Sequence, residues 1–85
     1  MRISFTESAW QDYLWMQENN RPLIKRVNQL IRDVTRSPFD GIGKPEPLKG
    51  DLSGYWSRRI NDEHRLIYSA TKDDLIIIAC RFHYK

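Results

Sequence analysis

Leu23, Ile24, Val27, Leu30, Ile31 and Val34 recur at the three- and four-residue spacing of one helical face, bracketed by Pro22 and Pro38. No other stretch limits the fold as tightly, because an apolar stripe of this length has to be covered by a second layer of structure. Asn20 can cap this helix, since its side-chain oxygen can accept a first-turn amide, and Pro22 is tolerated where amides lack intrahelical partners. Pro38 stops it. Upstream, Thr6 or Ser8 can cap a shorter helix running to about Asn19, with Ser8 and Gln11 at capping-box spacing and Trp10, Tyr13 and Leu14 on one side. Before that helix Ile3 and Phe5 alternate with Arg2, Ser4 and Thr6, the pattern of a short first strand.

After Pro38 the segment from Phe39 to Asp51 holds Gly41, Gly43, Pro45, Pro47 and Gly50, which disfavours both helix and central strand and predicts an ordered surface loop. Three strand-like runs follow, about Gly54 to Ile60, His64 to Ala70 and Leu75 to Phe82, joined by polar turns at residues 61–63 and 71–74. The order βααβββ predicts an α+β fold: a twisted, mainly antiparallel sheet with the two N-terminal helices packed on one face. At 85 residues the expectation is one compact domain, 1–85. No segment approaches the roughly 20 apolar residues needed to span a bilayer, and the N-terminus lacks the apolar core of a signal peptide. A soluble cytoplasmic protein with no membrane association is expected. The sole cysteine, Cys80, lies in an apolar run and reads as a small core residue.

Strand parity divides the last three strands. Trp56, Ile60, Leu66, Tyr68, Ile76, Ile78, Cys80 and Phe82 occupy even positions and suit packing under the helices. Ser57, Arg59, Arg65, Ser69, Arg81 and His83 fall on the other, open face. If residues 61–63 form a three-residue loop, Ile60 pairs with His64 and Arg59 stands directly opposite Arg65. Like charges opposed across a sheet are unfavourable and call for a carboxylate or a bound anion. The net charge of +3 permits an anionic partner without requiring one.

Near these arginines, together with Arg58, the chain ends in His83-Tyr84-Lys85. An imidazole with an unperturbed pKa of about 6.5 can give or take a proton near neutrality, although a lone terminal histidine is commonly just solvated. Glu46 is held between Pro45 and Pro47, which would suit a general base; a loop carboxylate paired with Lys44 or Lys49 is the plainer alternative. Tyr84 can stack on a nucleobase, and His64, at a turn on the even side, reads as structural. One carboxylate, one imidazole and two or three guanidiniums can cleave RNA: a base deprotonates the 2′-hydroxyl, arginines stabilise the dianionic phosphorane, and an acid protonates the leaving 5′ oxygen. No Asp, Glu, His or Cys residues cluster at metal-ligand spacing, so neither metal nor other cofactor is expected.

Four segments together carry a resemblance: Gly43-Lys44-Pro45-Glu46-Pro47-Leu48-Lys49, Leu52-Ser53-Gly54-Tyr55-Trp56-Ser57-Arg58-Arg59-Ile60, Glu63-His64-Arg65-Leu66-Ile67-Tyr68 and Cys80-Arg81-Phe82-His83-Tyr84. With Trp10, Tyr13 and the Pro38 helix stop, they resemble the YoeB toxins, a branch of the RelE-like family, over essentially the whole chain. The resemblance implies a RelE-like fold and a bacterial type II toxin that cuts mRNA in the A site of the 70S ribosome. It also implies a YefM-like antitoxin and a homodimer. Carried over by position, it implies Glu46 as general base, His83 as general acid and Arg65 as transition-state stabiliser. Lys49 and Arg59 would contact phosphate, and Tyr84 would position the substrate. Two other functions compete. A ParE-like toxin acting on DNA gyrase would share the fold but needs no acid and base, and a non-catalytic RNA- or ribosome-binding module would need only the arginines.

Overall fold

The computed structural model describes residues 1–82. Strand β1 (Arg2–Phe5) leads into helix α1 (Glu7–Asn19) and helix α2 (Arg21–Arg36). A short strand β2 (Glu46–Pro47), a 3-10 turn (Gly50–Leu52), and strands β3 (Trp56–Arg59), β4 (Arg65–Ala70) and β5 (Asp74–Ala79) follow. The sheet order is β1-β5-β4-β3-β2, with β1 parallel to β5 and every other neighbouring pair antiparallel. The expected α+β architecture is therefore present. A fifth strand, β2, is added inside the segment expected to be loop, and its Pro47 is tolerated because β2 is an edge strand.

Single residues make the connections. Thr6 caps α1 by accepting the Ala9 amide at 3.1 Å, and the same hydroxyl donates to the Ile78 carbonyl at 3.2 Å. It thereby fixes the helix start against β5. Asn20 closes α1 through its own amide to the Met16 carbonyl and opens α2 through its side chain, which accepts from Leu23 N. A one-residue joint leaves the two helices no freedom to separate. On α2, Leu23, Val27, Leu30, Ile31 and Val34 are buried, as their spacing requires. They form one cluster with Ala9 and Met16 of α1 and with Ile60, Leu66, Tyr68, Leu75, Ile77 and Cys80 from the sheet side. Each such aliphatic side chain contributes about 1.5–3 kcal/mol on burial. Among the described residues, no helix is long and apolar enough to cross a membrane.

Parity holds through β3 and β4 and fails in β5. Leu75 and Ile77 are fully buried in the core, whereas Ile76 is 39% exposed on the opposite face. The cause is a bulge: Tyr68 pairs with Ile77 and Ile67 with Ala79, which leaves Ile78 without a partner on β4. One extra residue reverses the facing of everything before it relative to everything after it. Ile76 is thus misassigned by parity, while Cys80, beyond the bulge, is buried as expected. The strand also stops at Ala79 rather than Phe82. Phe82 was expected beneath the helices and is 52% exposed. Arg81 was expected on the open face; its guanidinium instead lies over the Trp15 ring of α1, 3.6 Å from the centroid.

Candidate active site on the open sheet face

The turn between β3 and β4 builds the centre of the site. Asn61 Oδ1 accepts the amides of Glu63 and His64 at 2.9 and 2.7 Å, a side-chain mimic of a backbone turn. Ile60 N donates to His64 O at 3.0 Å, which confirms the three-residue loop. The register that follows sets Arg59 directly opposite Arg65. Arg65 Nη1 donates to the carbonyls of Asn61 and His64 at 2.6 and 3.0 Å, so the turn aims this side chain. Arg59 is exposed, and none of the ion pairs among the described residues involves Arg59 or Arg65.

Glu46 reaches the same face through β2. It pairs with Ser57, which pairs with Ile67, which pairs with Ala79, so these four residues form one row across the sheet. Arg59 and Arg65 occupy the adjacent same-face row, and residues diagonal to each other in this way stand about 7–8 Å apart. Ser57 and Ile67 are buried, and Ile67 is nevertheless absent from the core cluster beneath the helices. Its burial is on the open face, where it and Ser57 make a floor ringed by Glu46, Arg59 and Arg65. Lys49 is exposed at the start of the 3-10 turn, three residues beyond Glu46. His83 and Tyr84 lie outside the described residues.

Arg58 does not join this group. The sequence grouped it with Arg59 and Arg65, but on β3 it lies on the core side between Trp56 and Ile60 and is fully buried there. All five of its N–H groups are used. Nε donates to Tyr68 Oη, Nη1 to Asp33 Oδ2 and Ile42 O, and Nη2 to the carbonyls of Ser37 and Asp40. Tyr68 Oη in turn donates to Pro38 O at 2.6 Å. This network ties residues 37–42 to the underside of the sheet. A Cβ at Gly41, whose φ is +122°, would meet Asp33 Oδ2 at 2.1 Å, so only glycine passes there. Immediately afterwards Gly43 O accepts the Arg59 amide at 2.7 Å, and the chain runs into Glu46. Arg58 is therefore a buried organiser of the loop that delivers Glu46.

Electrostatics separate these roles. Hydrogen bonds from Arg58 and from the Ile42 amide hold the Asp33 carboxyl below its ordinary range. Burial pushes the Tyr68 phenol up. Burial also pushes the Cys80 thiol to about 12, which leaves it inert in the core. His64 is structural, as its turn position implied, but it has a carboxylate neighbour that the sequence did not reveal: Nε2 lies 3.3 Å from Glu63 Oε1. Among the described residues no three His, Cys, Asp or Glu side chains converge as metal ligands.

Comparison with known proteins agrees with this architecture. Residues 5–84 match the family described as YoeB-like toxin of bacterial type II toxin-antitoxin system. Toxin YoeB of Synechocystis sp. is 65% identical over 85 residues, covering 100% of this chain and 99% of the relative. A solved structure titled YoeB/ParE toxin from Agrobacterium tumefaciens superposes with a TM-score of 0.95 at 49% identity, over 99% of this chain and 100% of that one. The YoeB dimer from Staphylococcus aureus superposes at 0.93 with 42% identity, and the YoeB-YefM complex from the same organism at 0.91 with 44%. Each covers 99% of this chain and 98% of the other. On the strength of a family match from Phe5 to Tyr84 and a relative of full length at this identity, the chain belongs to the YoeB-like toxins of bacterial type II toxin-antitoxin systems.

Proposed function

We propose that this protein is a cytoplasmic endoribonuclease that cuts mRNA in the A site of the 70S ribosome and so inhibits translation. The observation that carries this reading is the direct opposition of Arg59 and Arg65 on the same face as Glu46. Two cations facing each other across a sheet are unfavourable unless an anion lies between them, and a phosphate would supply it. A phosphodiester seated there would lie within reach of the Glu46 carboxylate.

In the mechanism this arrangement supports, Glu46 takes the 2′-hydroxyl proton and the oxygen attacks the adjacent phosphorus. Arg65 stabilises the charge that develops on the phosphorane oxygens. Arg59 and Lys49 hold the neighbouring phosphates, and His83 protonates the departing 5′ oxygen while Tyr84 stacks on a base. The proton balance closes, since one side chain accepts a proton and another supplies one. DNA lacks the attacking hydroxyl and does not react. The relatives solved as a dimer and as a complex with YefM support a homodimer here and neutralisation by a YefM-like antitoxin. The domain responsible is the whole chain, 1–85.

Cleavage of ribosome-bound message tests the reading. The upstream product should end in a 2′,3′-cyclic or 3′ phosphate and the downstream product begin with a 5′ hydroxyl. A 2′-deoxy substitution at the scissile nucleotide should abolish cutting. Continued cutting of the deoxy substrate would rule out attack by that hydroxyl.

A further inference from the structure

Beyond Ala79 the chain has left the sheet, yet each of its next three residues is held. The Cys80 amide reaches Asp12 Oδ2 at 3.4 Å, and the Arg81 guanidinium stacks on Trp15. At Phe82 the hold is tightest. The Phe82 amide donates to His64 Nδ1 at 2.7 Å, and the Phe82 carbonyl accepts the Arg65 amide at 3.1 Å. The two rings also pack, with centroids 5.5 Å apart.

His64 is 4% exposed, and because its Nδ1 accepts, the ring proton is on Nε2, the atom that faces Glu63. Phe82 has φ +64°, a left-handed conformation that a residue with a Cβ adopts only when its surroundings enforce it. A leucine would fill the space of His64 as well; only a side chain with an acceptor at the Nδ1 position can hold the Phe82 amide in this turn. The residue after Phe82 in the sequence is His83.

We propose that His64 is a positioning residue for the terminal pair His83-Tyr84. Its Nδ1 fixes the left-handed turn at Phe82, the residue joined directly to the proton donor. The same turn holds both the Arg65 side chain and Phe82, the residue before His83. This role rests on the assignment of His83 as general acid. Misplacement of a reacting group by about 1 Å can cost on the order of 100-fold in rate.

The test compares H64L, which keeps the bulk and removes the acceptor, with H64N, whose amide oxygen can take the place of Nδ1, and H64Q, whose amide extends to the Nε2 position. In single-turnover cleavage of ribosome-bound mRNA, H64L and H64Q should be slowed about 10- to 100-fold at saturation, with the apparent KM little changed, and H64N should recover most of the rate. Exchange of the Phe82 amide with solvent should speed up in H64L and H64Q and not in H64N. In an H83Q background H64L should cause little further loss, because residues that act through one another are not additive. Wild-type cleavage by H64L, or an equal loss with and without His83, overturns the proposal. Should H64L fail to fold, equal rates for H64N and H64Q overturn it instead. Full activity of H83Q alone would remove the acid assignment, while the Phe82 amide would still report whether His64 holds the turn.

Discussion

At the residue scale, two arginines on neighbouring strands are held in opposite ways. Arg58 gives up all contact with water and is stable there only because five acceptors surround its guanidinium. Removing one partner of such a buried pair costs about 3–5 kcal/mol, a large share of the roughly 5–15 kcal/mol that a domain possesses. R58M should therefore melt far below the wild type. Lysine cannot replace the planar fork either, so R58K should fall well short of rescue; a variant of either kind melting within a few degrees of the wild type would show that the network is dispensable. Arg65 is different. Its side-chain hydrogen bonds go to carbonyls of an exposed turn, so R65A should shift the melting temperature only slightly while cleavage drops by on the order of 100-fold or more, as on loss of one strong transition-state donor. A large fall in melting temperature for R65A would return Arg65 to a structural role. H83Q should lose about 100- to 10,000-fold in rate, the usual contribution of general acid catalysis, and wild-type activity would make His83 a bystander.

Elements follow their sequence patterns as long as nothing interrupts the period. On α2 the apolar spacing and the burial coincide at every turn, because a helix fixes its own geometry through internal hydrogen bonds. Strand β5 has no such autonomy. Its facing depends on pairing with β4, and the unpaired Ile78 reverses it partway along. Adjacent isoleucines should consequently respond very differently to truncation. I77A should cost about 2–5 kcal/mol as a core cavity, and I76A, on the open face, should stay within roughly 1 kcal/mol. Urea unfolding of the two variants measures both, and equal losses would contradict the bulged register.

On the scale of the whole molecule, the link from α2 through Asp33 and Arg58 to the sheet makes stability depend on acid. The Asp33 carboxyl titrates below its ordinary 3.8 in the native protein, chiefly through the Arg58 hydrogen bond. Its contribution is therefore present above that value and is lost as pH falls through the lower native one. D33N should be less stable than the wild type at pH 7, and the gap should narrow below about pH 4. A gap that stays constant down to pH 2 would mean that Asp33 is not the titrating link. Asp12 has the opposite sign, because burial raises its carboxyl and its ionisation costs stability as pH rises. In the proposed mechanism the acid and the base both come from side chains, so cleavage should persist in excess chelator while the ribosome is kept intact. A loss that a divalent ion restores to the toxin itself would refute that chemistry.

The sequence alone determined the order of the long elements, the Asn20 cap of α2 and the opposition of Arg59 and Arg65, since each depends on neighbours within a few residues or on one short turn; for α1 it left Thr6 and Ser8 as alternatives, and the fold selected Thr6. Glu46 and the arginines were legible as candidates in the same way, through rigid flanking prolines and a countable loop. The tertiary structure decided what depends on distant partners. Pairing between β4 and β5 placed the bulge and turned Ile76 outward, and pairing with β3 made an edge strand of Glu46–Pro47. Read from the sequence, Arg58 belonged with Arg59 and Arg65; only packing against Asp33, Tyr68 and the 37–42 loop set it apart. His64 looked like a bland turn residue until the fold brought Phe82, 18 positions later, onto its Nδ1. Local chemistry is written into neighbouring residues; which distant group meets it is settled only when the chain has folded.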